Sequence, residues 1–128
     1  MTDRSEIDRL LRGLYDARLR GDLDGVCRAF SEDAKFRIAG VSHHACPIAV
    51  TAVGIGEIRQ WIALLIKTFQ LNHHAILTVI IDKDRAAVQW KADIFSRITG
   101  LSVPTDVVDL IELRNEKIVS YTEFLVPR

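Results

Sequence analysis

The segment 105–125, TDVVDLIELRNEKIVSYTEFL, constrains the fold more than any other part of the chain. It holds two apolar runs rich in β-branched residues, and the short polar stretch Arg-Asn-Glu at 114–116 separates them. This pattern predicts a long antiparallel hairpin.

Acidic residues interrupt the apolar runs of this hairpin. Side chains alternate between the two faces of a strand, so Asp109 shares a face with Val107 and Ile111. By the same rule, Glu123 shares a face with Tyr121. A carboxyl group among buried neighbours costs free energy unless it is paired or takes part in function. The hairpin therefore predicts a candidate pocket, and burial should raise the pKa of Asp109 most.

Helical spacing of apolar residues marks the start of the chain. A first helix is predicted over residues 5–19, with Ser5 and Asp8 as a capping box and Gly21 as its end. Asp22 is expected to cap a second, shorter helix that buries Phe30.

The remaining chain alternates short polar turns with apolar stretches. The elements predicted in order are a turn at 31–33, a strand over 34–38, a loop around 43–47, a strand over 48–53, a helix over 57–69, and strands over 75–81, 86–98 and 103–113. Helices followed by consecutive strands predict an α+β fold with helices packed on one face of an antiparallel sheet. The length suits a single domain over residues 1–128.

The charge balance excludes several classes of partner. Seventeen basic residues balance seventeen acidic ones, so neither nucleic acid nor an anionic membrane is an expected partner. The charged start of the chain has no apolar core typical of a signal peptide. Cys27 and Cys46 have no metal-type spacing and are expected to be free thiols in a reducing, cytoplasmic compartment.

The order of elements, the run GDLDG at 21–25 and the run FSEDA at 30–34 resemble the SnoaL-like and ketosteroid-isomerase-like group of the nuclear-transport-factor-2-like superfamily. The hairpin from DLI at 109–111 to EF at 123–124 resembles the last hairpin of that group. The resemblance covers almost the whole chain. It implies a cystatin-like α+β cone, in which three N-terminal helices close a strongly bent antiparallel sheet around a pocket. Because the group includes isomerases, dehydratases, cyclases, epoxide hydrolases and non-enzymes, it implies no single reaction.

The steroid isomerases of this group offer one comparison. They use a base after the first strand, with a tyrosine and a protonated aspartate as donors to an oxyanion. Aligned on GDLDG, the base position falls on Ile38, the tyrosine position on Leu14 beside Tyr15, and only Asp109 matches. Because Ile38 cannot take a proton, the comparison argues against that mechanism.

Limonene-epoxide-hydrolase-like proteins offer a second comparison. In that family an Arg-x-Asp motif meets an acid on the last strand: one carboxylate activates water, the other protonates the epoxide oxygen, and the arginine bridges them. Lys91, Asp93 and Glu123 occupy those positions here. The resemblance thus implies Asp93 and Glu123 as an acid/base pair with Lys91 as their charge partner. Lysine lacks the bidentate fork of arginine, so the chemistry would be shifted, and the water-holding residues of that family have no counterpart assigned in 41–53.

The alternating pattern adds further candidates. Lys91, Asp93 and Phe95 share one strand face, and the alternative to a pocket role for the charged pair is a solvated or dimer-facing salt bridge. Tyr15 lies on the apolar stripe of the first helix and is expected in the core, with its hydroxyl toward the cavity. The alternative to a pocket role for Asp109 is a buried acid whose hydrogen bonds are satisfied by Tyr15 or by a backbone group. The remaining members of the predicted pocket are Tyr121 and Trp61, with packing as the alternative for Trp61 and Trp90.

The histidines are not expected to bind metal. His43-His44 and His73-His74 are adjacent pairs, and adjacent side chains in an extended segment point to opposite sides. No metal and no organic cofactor is therefore predicted.

Two functions follow as hypotheses. The first is a cofactor-independent enzyme that uses carboxylates for acid/base work on a small, mostly apolar molecule. The second is a non-catalytic ligand-binding or assembly domain. In either case the exposed apolar sheet face predicts a homodimer.

Overall fold

The structure is a computed structural model that describes residues 3–40 and 50–128. Three helices pack on one face of a curved six-stranded sheet, which confirms the predicted α+β class. In chain order the elements are α1 (Arg4–Arg20), α2 (Leu23–Arg28), β1 (Phe30–Gly40), β2 (Val50–Val53), α3 (Ile55–Thr68), β3 (Phe69–Asp82), β4 (Arg85–Ser96), β5 (Ser102–Arg114) and β6 (Lys117–Pro127).

Helix α1 begins earlier than its sequence pattern predicted. Asp3 is the N-cap, and its side chain accepts a hydrogen bond from the backbone N–H of Ser5 at 3.2 Å. Ser5 therefore lies inside the helix, and the predicted capping box is wrong because an acceptor nearer the terminus satisfies the free N–H groups. Gly21 ends the helix at φ 71°, as predicted.

The region after α2 differs from the prediction. Asp22 caps α2 as expected, accepting from the Gly25 N–H at 3.0 Å. Phe30 is buried, but in β1 rather than in the helix. Residues 31–33, predicted as a turn, belong to β1, where the pairing with β6 shifts register between Phe30 and Lys35. A bulge takes up the polar residues that suggested a turn.

The strands form one sheet in the order β2-β1-β6-β5-β4-β3. Every neighbouring pair is antiparallel except β1 and β6, which run parallel. The sheet is therefore mixed, and the fully antiparallel prediction is wrong at this pair. Parallel neighbours need a long crossover, which the elements from β2 to β5 supply here.

The predicted C-terminal hairpin is confirmed as β5 and β6. Its two turn residues, Asn115 and Glu116, both have positive φ, 52° and 64°. Positive φ at both central residues matches the right-handed twist of the flanking strands. The pairing places Asp109 directly opposite Glu123.

Strand β3 begins directly after α3, before the predicted start at residue 75. Its pairing with β4 shifts register between Asn72 and Ala75, and His73 adopts φ 55° there. The local irregularity hides the alternation that marks a strand. The predicted loop at 43–47, with His43, His44, Cys46 and Pro47, lies outside the described residues, as does the start of the strand predicted at 48.

The core lies between the helices and the inner face of the sheet. The fully buried side chains include Ile7 and Leu11 of α1, Ile58 of α3 and Trp90 of β4. Cys27 is a buried free thiol. Among the described helices, none combines the length and apolar character that crossing a membrane requires.

Candidate functional site

A polar cluster is buried between α1 and the inner face of the sheet. It consists of Tyr15, Arg18, Trp90, Asp109, Tyr121 and Glu123. Its two acids, Asp109 and Glu123, face each other on neighbouring strands and are 0% and 1% exposed. Charged groups are rarely buried so completely unless they are paired, so the partners of these acids define the chemistry of the site.

One oxygen of Asp109 accepts three hydrogen bonds. The Tyr15 and Tyr121 hydroxyls each donate to Oδ2 at 2.5 Å, and the Trp90 indole N–H donates to it at 2.8 Å. The other oxygen, Oδ1, has no hydrogen-bond partner among the described residues. The three donors fix the orientation of the carboxyl group.

The pKa of Asp109 lies well above its ordinary value. Burial is the main cause, and the negative charge of Glu123 adds to it. Both effects favour the neutral carboxylic acid over the carboxylate. The environment therefore favours the protonated form of Asp109, which is the direction that its apolar strand neighbours predicted.

Glu123 remains ionised because Arg18 binds both of its oxygens. Arg18 Nη1 donates to Oε2 at 2.7 Å and Nη2 donates to Oε1 at 3.1 Å. Burial raises the pKa of Glu123, but the Arg18 charge and its hydrogen bonds outweigh burial, so the net pKa is lowered. The Arg18 guanidinium also lies 5.5 Å from the centre of the Trp90 ring, a distance at which cation and ring attract.

Two kinds of carboxyl group meet in the polar cluster. The charge of Glu123 is cancelled by Arg18, and burial favours the neutral form of Asp109. One carboxyl group is thus held as an acid and its neighbour as a carboxylate, which is the arrangement that acid/base catalysis uses.

A cavity of about 170 Å³ opens beside this cluster. Its lining residues are Arg18, Leu19, Arg20, Gly21, Ile38, Leu65, Ile66, Phe69, Gln70, Leu71, Ile94, Arg97, Glu123 and Leu125. Arg18 and Glu123 form the polar part of its inner wall, while most of the other lining residues are apolar. Asp109, Tyr15 and Tyr121 do not line the cavity but lie behind Glu123.

The structure separates three predicted site residues from this pocket. Asp93, Lys91 and Phe95 point to the outer face of β4, because Trp90, Ala92 and Ile94 take the inner face. Asp93 accepts from His73 Nδ1 at 2.9 Å. Asp93 and Glu123 therefore do not form the predicted acid/base pair, and the predicted Lys91–Asp93 pair is absent among the described contacts.

Trp61 is also outside the pocket. Its side chain lies on the surface of α3 and is 36% exposed, whereas Ile58 and Ile62 on the same helix are buried. Helix α3 packs its aliphatic stripe against the core. The predicted buried face of this helix also included Trp61, and the prediction is wrong at that residue.

Arg18 is the site residue that sequence reasoning missed. The buried stripe of α1 runs Ile7, Leu11, Leu14, and the next position at this spacing is Arg18. A charged residue in line with a buried stripe was the available signal, because helical residues four apart lie on one face.

The described histidines point apart, as adjacent residues in a strand do. His73 contacts Asp93 on the outer face, whereas His74 stacks 4.9 Å from the Trp90 ring centre. Burial and the nearby Arg18 charge lower the pKa of His74, so its ring is neutral. The Nε2 atom of His74 is buried with no partner among the described residues.

Comparison with known proteins places the chain in a family. The sequence profile of the SnoaL-like domain family matches residues 11–121 of the chain. No functionally curated protein matches the chain significantly.

Several solved structures share the fold. A proposed isomerase from Bacillus subtilis is 20% identical, with a TM-score of 0.82 over 98% of this chain and 90% of that one. A nuclear-transport-factor-2-like protein from Burkholderia xenovorans is 19% identical, with a TM-score of 0.80 over 98% and 93%. An epoxide hydrolase from Mycobacterium tuberculosis, similar to limonene epoxide hydrolase, is 13% identical, with a TM-score of 0.73 over 95% and 84%. At these identities the likeness establishes the fold, a cone of bent sheet closed by helices.

Proposed function

Because this chain belongs to the SnoaL-like domain family, we propose that it is a cofactor-independent acid/base enzyme of the isomerase or hydrolase type. The proposal rests on one observation: Glu123, a buried carboxyl group bound by Arg18, lines the cavity, and a second buried carboxyl group, Asp109, lies directly opposite it on the neighbouring strand. Pairs of acids held in different protonation states mark acid/base sites.

The cavity favours a small, mostly apolar molecule. Its volume of about 170 Å³ is close to that of an apolar cavity of about 150 Å³ that holds benzene. Apolar walls with few polar groups are typical of sites that bind such ligands and orient them by one polar atom.

Arg18 and Glu123 supply the two interactions that a proton transfer needs. Two N–H groups of Arg18 bind Glu123, and the guanidinium has three more donors. These bind a carbonyl or epoxide oxygen of the ligand and stabilise the negative charge that develops on it. Glu123 accepts a proton either from the carbon beside a carbonyl or from a water molecule.

Asp109 acts on Glu123 rather than on the ligand. It lies opposite Glu123 on the neighbouring strand, and its neutral form limits the charge of the buried pair. Ile38, which occupies the base position of the steroid isomerases in the sequence comparison, pairs directly with Glu123 across β1 and β6. A carboxylate is thus present beside that position, contributed by another strand.

Two reactions test the proposal with small one-ring probes. The first is conversion of cyclohex-3-enone to its conjugated isomer, followed by ultraviolet absorbance. The second is hydrolysis of styrene oxide, followed by chromatography. We expect turnover of at least one probe, and Glu123→Gln should lower its rate by roughly 10²–10⁴-fold, as loss of a general base does.

Matched variants separate catalysis from folding. Glu112→Gln changes an exposed acid on β5 and should leave the rate unchanged. Glu123→Gln leaves Arg18 buried without a partner, which costs roughly 3–5 kcal/mol of unfolding free energy. The double variant Arg18→Met/Glu123→Gln removes both charges and therefore avoids this loss of stability. If Glu123→Gln turns over either probe at the unaltered rate, the acid/base role fails.

A non-catalytic ligand-binding domain is the second candidate. The observation that favours it is the lowered pKa of Glu123, which makes the carboxylate a weaker base. Saturable binding of both probes without turnover of either would select this candidate.

We further propose that the protein forms a homodimer through the outer face of the sheet. Four exposed apolar side chains, Val108, Leu110, Phe124 and Val126, lie together on β5 and β6. Contiguous apolar surface of this kind marks interaction sites. A second copy supplies the same patch, as a two-fold interface requires.

A further inference from the structure

We propose that the ligand of this pocket carries an anionic group, such as a carboxylate, which binds at the mouth against Arg97 while its apolar body fills the cavity. The inference deepens the proposed function, because it names the ligand class of the same pocket. It rests on the distribution of charge around the cavity.

Positive charge is concentrated at the mouth of the pocket. Three arginines and one acid line the cavity. At the inner end Arg18, only 13% exposed, is neutralised by Glu123. At the mouth Arg20 pairs with Asp16 at 2.9 Å, and Arg97 has no carboxylate partner among the described residues. The inner end is therefore neutral and the mouth carries a free cation.

Backbone contacts hold Arg97 in place. Its Nη1 donates to the carbonyls of Ile66 and Lys67 at 3.1 and 3.2 Å, at the C-terminal end of α3. Its own backbone N–H donates to the Thr68 carbonyl at 2.8 Å. These bonds use one nitrogen of the guanidinium, so Nε and Nη2 remain available as donors.

No acid elsewhere in the chain is available to neutralise Arg97. Residues 1–2 and 41–49 lie outside the described part of the chain. Their sequences, MT and VSHHACPIA, contain neither aspartate nor glutamate. Every aspartate and glutamate of the sequence is thus in the described part, and none of them lies within ion-pair distance of Arg97.

The two ends of the pocket fix the direction of such a ligand. The neutral Arg18–Glu123 pair offers an anion no net attraction at the inner wall, whereas Arg97 attracts it at the mouth. The apolar residues between them, including Ile38, Leu71 and Ile94, contact the body of the ligand. A carboxylate matches the planar donor pair of an arginine and can accept two parallel hydrogen bonds from it.

The test compares 3-phenylpropionate with 3-phenylpropan-1-ol, which has the same body without the charge. Titration followed by the methyl NMR signals of Ile38, Leu71 and Ile94 reports binding in this pocket. We expect the acid to bind about 5–10-fold more tightly than the alcohol, as one partly exposed charge-assisted contact allows. Added salt should weaken binding of the acid alone, because ions screen the exposed pair.

Arginine variants assign the effect. Arg97→Gln should remove the preference for the acid. Arg97→Lys should retain only part of it, because an ammonium group lacks the planar donor pair. Arg85→Gln, at the exposed start of β4, should leave it unchanged. Arg97→Gln also removes the donor to the last carbonyls of α3, and this variant can fail to fold. In that case the reduced acid preference of Arg97→Lys and the salt dependence still test the role of Arg97.

Three results overturn the proposal: equal or tighter binding of the alcohol, an acid preference that survives Arg97→Gln, or no saturable methyl shift with the acid. Binding is measured without turnover, so the two proposals fail separately. Preference for the acid without turnover of any probe contradicts only the acid/base function. Turnover that depends on Glu123 without preference for the acid contradicts only the anionic ligand.

Discussion

Two features of the Asp109 environment have opposite effects on its ionisation: three hydrogen-bond donors contact one oxygen, and the carboxyl group is fully buried beside a carboxylate. Donors favour ionisation, whereas burial and Glu123 oppose it, and the latter prevail. The neutral acid is stabilised by the fold at low pH, and this stabilisation is lost as pH rises from the ordinary range of an aspartate through the raised pKa.

Asp109→Asn tests this directly. An amide keeps the shape and the acceptor for Tyr15, Tyr121 and Trp90, but it cannot ionise. Relative to the unaltered protein, the variant should gain about 1.4 kcal/mol of unfolding free energy per pH unit above pH 4, until the raised pKa is passed. Urea unfolding between pH 4 and pH 9 measures the difference. Asp93→Asn, on the exposed outer face, is the control, and parallel curves for Asp109→Asn and the unaltered protein would contradict the raised pKa.

The residues of the site were predictable to different degrees. Alternation along β5 and β6 predicted that Asp109 is buried and that Glu123 shares a face with Tyr121, but a surface position remained an equal alternative for Glu123. Alternation also divided β4 correctly, but the family comparison assigned Asp93 to the pocket although Trp90 lies on the other, more apolar face. Arg18 is 105 residues from Glu123 in sequence, and no local pattern links residues so far apart.

Among the elements, the β5–β6 hairpin shows a local conflict between sequence and backbone. Glu116 adopts φ 64°, where a Cβ atom is crowded and glycine is preferred. The turn is therefore less stable with glutamate at position 116 than it would be with glycine there.

Glu116→Gly should raise the unfolding free energy by roughly 0.5–1 kcal/mol, because relief of left-handed strain exceeds the added entropy of the unfolded chain. Thermal unfolding measures the gain. Glu116→Ala removes the same charge and keeps the Cβ atom, so it should give no gain; equal effects of both variants would show that charge, not backbone strain, is responsible.

The elements that sequence analysis identified well are those with local signals. Helix α1 with its Gly21 end and the final hairpin depend on caps, turns and periodicity. The bulge in β1 and the irregular start of β3 depend on pairing with distant strands, which is why the turn at 31–33 and the late start at residue 75 were wrong.

At the scale of the whole molecule, the outer face of the sheet exposes a patch of apolar side chains. If two copies pair through it, light scattering should give about twice the monomer mass at micromolar concentration, since stable interfaces bury on the order of 1,600 Å². Leu110→Lys should yield a monomer by placing a charge in the patch. Leu64→Lys, at an exposed apolar site on α3, should leave the dimer intact, and a monomeric unaltered protein would contradict the interface.

The parallel pairing of β1 with β6 also determines when the site forms. The β4–β5 and β5–β6 hairpins close short loops and are expected to form early. Strands β1 and β6 meet only after a long loop has closed, and the entropy of that closure is lost before the contacts compensate for it. Ile38 and Glu123 come together at this pairing, and Arg18 reaches Glu123 only when α1 packs over it. During refolding, the binding pocket should therefore appear with the slowest phase, later than most of the sheet.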